Sequence, residues 1–400
     1  MRLGCVQKAV RLAVGGMLAG FLFAGCSSSS TGKPVAGLSG DPIADGHRMM
    51  EAGKPEDRLL WGYRGAAAAM RRGQYSDAKR FLDEAVDRLN GMLGRDRTAS
   101  KARSAFYRES KKTFYGEPYE RAMAFYYRGI LYWMDGEPDN ARACFRSAQL
   151  ADSDLKAESF SGDYVIMDYL DGLASLKLGA DGADAFKRAT ARPRIAIPPA
   201  YDKEANVLFF VEFGMGPAKV AGGEYGELLQ YRLGNSPVQS VRIRAGNYDV
   251  EAGPYDDLNF QATTRGGRAM DRILERKADV KRSTDAIGDA AIISGAVVGA
   301  TSRDNEEAAF GLLAAGLVSK IFSAVTKPEA DTRAWDNLPL FLTFAAIRLP
   351  EGRHSVSVEF LDAARKPVAT FSKQLQITVP PAGRDKVVFV SDQSATPQNL

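Results

Sequence analysis

The sequence is poor in the side chains that most often carry chemistry. Its 400 residues include three cysteines and two histidines. Cys5 lies in an N-terminal leader and Cys26 directly follows it, so Cys144 stands alone in the folded body and no internal disulfide is expected. Cys144 reads as a small buried helix residue. His47 and His354 lie far apart, and neither sits in an HExxH or HxH spacing. A zinc site or a histidine-assisted nucleophile lacks its usual signature, and each histidine reads as a stranded, exposed one. There is no GxSxG and no Walker lysine loop. Ser153-Asp-Leu-Lys156 fits SxxK, but the partner motifs SDN and KTG are absent. Phe213-Gly-Met-Gly-Pro217 lacks the third glycine of a dinucleotide fingerprint and reads as a tight turn after a strand. Asp135-Gly-Glu137-Pro-Asp139 opens like a calcium loop, yet its sixth and twelfth places hold Asn140 and Arg146. The pair Asp256-Asp257 is too ordinary to mark an acid/base site. The expectation is a protein without enzymatic activity, cofactor or metal.

Charge of one sign is also missing. There are 53 Lys and Arg against 49 Asp and Glu. Arg2, Lys8 and Arg11 lie in the leader, which leaves the body almost neutral. Such a body has no long-range field for nucleic acid.

What is present begins with that leader. A basic start is followed by the uncharged, mostly apolar run Leu12 to Gly25, then Phe23-Ala24-Gly25-Cys26 opens onto Ser27-Ser28-Ser29-Ser30. The apolar part has the length of a signal-peptide core and is short for a spanning helix. The order resembles a bacterial lipoprotein signal over residues 1–25, with Cys26 as the lipidated thiol. Ser27 in place of aspartate implies an outer-membrane address, facing the periplasm. Two or three acyl chains make detachment slow.

Residues 26–45 read as a flexible tether rich in Ser, Gly and Pro. From 46 to 195 the pattern is helical and repetitive. The clearest unit is Phe125 to Gly136 followed by Ala141 to Ala148, which resembles a tetratricopeptide repeat. Small Gly129 and Ala141 allow close helix approach, Tyr132 and Phe145 fill the space beside them, and Gly136 with Pro138 turns the chain. A second copy follows Gly73-Gln-Tyr75, with Ala78, Leu82 and Ala85 at helix spacing. A third spans Tyr164 to Ala191, with a shortened second helix. Leu93 to Tyr119 reads as an insertion.

Beyond Pro198-Pro199 the chain becomes β-rich over 200–390. Strands are expected at Asn206–Phe213, Val238–Ile243, Leu258–Thr263, Phe341–Arg348, Ser355–Leu361, Val368–Val379 and Lys386–Val390. Pro350-Glu-Gly352 reads as a hairpin turn. A helical insertion, 269–327, holds two apolar stretches, Ala286–Ala300 and Ala308–Val325, with Gly295 and Gly299 at a GxxxG spacing. The first is too short to cross a hydrocarbon core, and Asp289 and Lys320 interrupt the pair. A buried hairpin is the favoured reading; membrane contact or self-association is the alternative. Residues 391–400 read as a disordered tail. The fold class is α+β: a helical-hairpin domain, then a sandwich-like β-rich domain.

Two surfaces are candidates for binding. Tyr126, Ile130, Trp133, Tyr169 and Leu173 would line the concave face that repeat hairpins present to a protein or peptide partner; core packing gives the same spacing. Arg97, Lys101, Arg103, Arg108, Lys111 and Lys112 form a basic run in the insertion. Such runs are usually solvated, and an anionic contact is the sharper reading.

Gly116-Glu-Pro-Tyr-Glu120 through Asp152, Phe213 to Lys219 with Gly223-Glu-Tyr-Gly226, Phe260 to Gly267, Ala330 to Pro339 and Leu349-Pro-Glu-Gly352 together resemble a family of uncharacterised bacterial tetratricopeptide-repeat-containing envelope lipoproteins. The resemblance covers most of Gly116 to Pro350. It implies no activity and transfers no catalytic residue. Some members are encoded beside lipoproteins similar to activators of peptidoglycan synthases, which implies partners in peptidoglycan synthesis by association. The expected function is a lipid-anchored scaffold for a periplasmic partner. A membrane-active or self-assembling protein, and an enzyme acting on cell wall, are the alternatives.

Overall fold

The computed structural model describes residues 37–93, 113–152, 163–191, 195–223, 228–263 and 330–395. The chain divides at Gly40 into two units. Of the first, only residues 37–40 are described; Cys26 lies outside the described residues. Every element below belongs to the second.

The helices are α1 (Pro42–Ala52), α2 (Arg58–Arg71), α3 (Tyr75–Leu93), α4 (Pro118–Met134), α5 (Pro138–Asp152), α6 (Val165–Lys177), α7 (Ala183–Ala191) and the short α8 (Leu258–Thr263). The strands are β1 (Val207–Phe213), β2 (Ala218–Gly222), β3 (Leu228–Arg232), β4 (Ser240–Ala245), β5 (Tyr248–Ala252), β6 (Asp256–Asp257), β7 (Phe341–Ile347), β8 (Gly352–Leu361), β9 (Lys373–Val379) and β10 (Lys386–Ser391). The fold is mixed α+β.

Local chemistry sets the helix boundaries. Asp41 caps α1 by accepting from the Ile43 amide at 3.0 Å, ahead of Pro42. Glu117 and Glu120 form a reciprocal capping box at the start of α4. The pairs α2/α3, α4/α5 and α6/α7 each turn through a glycine with positive φ: Gly73 at +69°, Gly136 at +84° and Gly179 at +77°. Two pairs share one packing device. A Cβ on Gly129 would come within 2.7 Å of the Phe145 ring, and a Cβ on Gly65 within 2.7 Å of the Phe81 ring. The backbone of one helix therefore rests on a phenylalanine of the next, at the same sequence offset in both pairs.

β1 lies at the centre of the middle sheet, whose order is β10-β1-β7-β6. It runs parallel to β10 and antiparallel to β7. Its side chains alternate between two cores. Leu208 and Phe210 join Phe344 and Phe389 against the helices. Val207, Phe209, Val211 and Phe213 join Val241, Ile243, Val358 and Ile377 of the outer sheet, ordered β5-β4-β8-β9. The architecture is thus three layers: helices, middle sheet, outer sheet. Burial on both faces is why β1 reads as a continuous apolar run rather than an alternating one.

Several expectations are corrected. Helices and middle sheet share one core, so 46–195 and 200–390 are not separate domains. The helix at Pro42 begins inside the expected tether. Leu258–Thr263 is helix α8, because the Asp257 carboxylate accepts from the Asn259 amide at 2.7 Å and starts a helix there. Pro350-Glu-Gly352 is not a hairpin turn; it passes the chain from β7 in the middle sheet to β8 in the outer one. Only Lys373–Val379 of the run from Val368 is a strand. Residues 391–395 are packed, not a free tail: Asp392 and Ser394 are buried, and the Ala395 amide donates to the Arg71 carbonyl at 3.0 Å. The insertion 269–327 lies wholly outside the described residues. Among the described residues no helix is long and apolar enough to cross a membrane.

Candidate functional site

The concave helical face is occupied by the chain's own sheet. Tyr126, Ile130, Trp133, Tyr169 and Leu173 are each at most 2% exposed. Tyr126 and Trp133 pack on Phe210 with ring centroids 6.4 and 6.2 Å apart, and Tyr169 packs on Phe344 at 5.8 Å. This corrects the reading of these five as a partner groove: they are core, because β1 and β7 fill the space a partner would enter. The basic residues Arg97, Lys101, Arg103, Arg108, Lys111 and Lys112 lie outside the described residues, as do Cys26 and Ser153.

Neither histidine is stranded. His47 Nε2 meets Asp77 Oδ1 at 2.8 Å and its ring lies 4.5 Å from that of Phe81. His354 Nε2 meets the Pro350 carbonyl at 2.8 Å. Cys144 is buried on α5, and burial pushes its thiol up to about 12, far from a reactive thiolate. Among the described residues no group of three or more His, Cys, Asp or Glu could hold a metal ion.

Two buried ionic centres join the layers. In the first, Glu212, the one charged residue of β1, faces the helices. Arg71 Nε donates to its Oε1 at 2.7 Å and the Tyr127 hydroxyl donates to its Oε2 at 2.5 Å. Arg71 Nη1 also donates to Gln393 at 3.2 Å. Burial, then the adjacent Glu212 carboxylate, drives the Tyr127 hydroxyl well above its ordinary pKa. Burial also raises Asp392, whose carboxylate accepts from the Gly214 amide at 2.8 Å.

In the second centre, Lys219 of β2 donates to Glu120 Oε2 at 2.5 Å. That oxygen also accepts from the Glu117 amide at 2.6 Å, and Glu120 Oε1 accepts from the Trp335 amide at 2.7 Å. Lys219 donates further to the Arg333 carbonyl at 3.0 Å. Arg333 pairs with Asp57 and Asp331, each at 2.7 Å. Trp335 stacks on Tyr63 at 4.4 Å. Three of the stretches singled out above, 116–120, 213–219 and 330–339, therefore meet in one node. The node is sealed: the Lys219 and Glu120 side chains are essentially unexposed. It fixes the 330–339 segment to the helices and leaves no room for a substrate.

A third buried carboxylate makes stability depend on pH. Asp256 accepts from the Val165 and Ile166 amides at 3.0 and 2.7 Å, at the start of α6. Burial outweighs those bonds, and nearby Asp163 and Asp152 add to it, so its pKa is pushed from 3.8 up to about 7. Between those values the folded chain holds a proton that the unfolded chain releases. The stabilisation is full below the unfolded value and lost as pH rises through about 7. Asp168 and Asp392 are raised in the same sense. Urea unfolding is expected to show lower stability at about pH 8 than at about pH 5, and Asp256→Asn to reduce that difference. An unchanged pH slope in the variant would contradict this.

The open chemistry lies at the other end of the helices. Two adjoining cavities of about 390 and 430 Å³ share Arg384 and Asp385 of the β9–β10 loop as a common wall. The turn from α4 to α5 and the C-terminus of α6 border the first; Tyr75 and Lys79 of α3 border the second. Asp385 is held by Lys177 at 2.8 Å and by the Trp133 indole N–H at 3.0 Å. Lys79 pairs with Asp135 at 2.6 Å. Sequence reasoning missed this groove because its residues are contributed by six separate segments.

No family model, curated protein or solved structure matches the chain.

Proposed function

We propose that this protein is a lipid-anchored envelope scaffold, held through Cys26 at the outer membrane on its periplasmic side, that binds a protein or peptide partner and catalyses nothing. The helical pairs are read as degenerate tetratricopeptide-like hairpins. The observation that carries this is the repeated glycine-on-phenylalanine contact, Gly65 on Phe81 and Gly129 on Phe145, each followed or preceded by a left-handed glycine turn. Repeat hairpins serve mainly as binding platforms. Here the inner face is covered by the protein's own sheet, so a partner meets the outer helical face or the helix ends. A peptidoglycan-synthesis component fits that reading, and the apolar pair within 269–327 is read as a second, buried hairpin.

The anchor is tested by metabolic labelling with a palmitate analogue. Label on the wild type and none on Cys26→Ser is expected; label retained by the variant, or absent from both, would remove the anchor. In-cell crosslinking with mass spectrometry is expected to recover one abundant envelope protein, and recovery of none would remove the scaffold.

A further inference from the structure

We infer that the groove around Arg384 is a binding site for a carboxylate-bearing ligand, such as the C-terminal end of a short peptide. The inference is independent of the lipid anchor and of the scaffold reading. It rests on a local surplus of positive charge in a concave place. Six cationic side chains line the two cavities: Lys79, Lys177, Lys203, Arg348, Arg384 and Lys386. Three have carboxylate partners: Lys79 with Asp135, Lys177 with Asp385, and Arg348 with Glu204 at 3.9 Å. Lys203, Arg384 and Lys386 have none among the described residues.

The remaining geometry selects the ligand. Arg384 lies against Gly136, where an added Cβ would come within 3.1 Å of its Nε. Its Nη2 donates to the Asp135 carbonyl at 3.0 Å, which steadies the guanidinium and leaves other donors available. A planar fork of this kind matches a carboxylate in two parallel hydrogen bonds. Lys386 on the same wall is half-buried, and burial lowers its pKa, so an incoming anion would relieve a desolvated ammonium. Asp135 and Asp385 line the second cavity together with Arg384, so a dianion such as phosphate meets more repulsion there than a single carboxylate. The cavity volumes suit a ligand of a few residues.

The test is isothermal titration calorimetry on the detergent-purified full chain with three probes: trialanine, trialanine amide and inorganic phosphate. Trialanine is expected to bind, the amide about tenfold or more weakly, and Arg384→Ala to weaken trialanine by a similar factor. Lys386→Gln is a second variant with the same expected direction, should Arg384→Ala lose its circular dichroism signature. Equal affinity for acid and amide, no trialanine binding up to about 10 mM, or trialanine affinity unchanged in the folded variants would overturn the site. Phosphate binding more tightly than trialanine would overturn the carboxylate assignment.

Discussion

Glu212→Ala is expected to destabilise the folded unit by about 3–5 kcal/mol, the usual cost of leaving a buried charge without its partner. The Arg71 side chain is 6% exposed and that of Glu212 1%. Burial works against the Arg71 charge, and Glu212 with Tyr127 and Asp392 together more than offset it. Removing the carboxylate leaves a guanidinium inside the boundary between helices and middle sheet, and the Tyr127 hydroxyl loses its acceptor. One guanidinium nitrogen, Nη2, has no partner among the described residues, so little is left to take up the loss. Glu212→Gln keeps acceptor geometry for one donor and is expected to cost less. The double variant Arg71→Met with Glu212→Leu replaces the pair by apolar volume and is expected to recover most of the loss. Urea denaturation followed by circular dichroism decides it. A cost under about 1 kcal/mol for Glu212→Ala would mean that water reaches this pair.

Lys219→Met is expected to cost a similar amount, about 3–5 kcal/mol, for the mirror-image reason. It leaves the Glu120 carboxylate buried with only backbone amides as donors. Its distinguishing mark is rescue by neutralising the stranded partner. Adding Glu120→Gln to Lys219→Met should restore stability at neutral pH. A double variant no more stable than Lys219→Met alone would show that packing, not charge, is what Lys219 supplies.

How much of this was legible in the sequence depends on burial. The hairpin at Gly129 and Gly136 was, because glycine and aromatic spacing leave few other arrangements. Its counterpart at Gly65 was not, because it sits beside the run Ala66 to Ala69, where one small residue looks like another. β1, β7 and β10 were readable as strands because both faces are buried. The same burial misled the reading of Tyr126, Trp133 and Tyr169: a residue spaced to face a groove is spaced equally well to face the chain's own sheet. Arg71 and Lys219 carried no signal, since a single cation reads as solvated until its partner from a distant segment is placed. A lone glutamate inside Val207–Phe213 was the one visible hint. The Arg384 groove depends on tertiary assembly alone.

The parallel pairing of β1 with β10 also has a consequence for biogenesis. Phe389 and Val387 fill the helix-side core from the last strand, and the Arg71 carbonyl waits for Ala395. Synthesis runs from the N-terminus, so the central strand is made long before the neighbour that covers it. In that interval an edge of β1 is open to foreign strands and to proteases. The core shared by helices and middle sheet therefore closes only once residue 395 has been made.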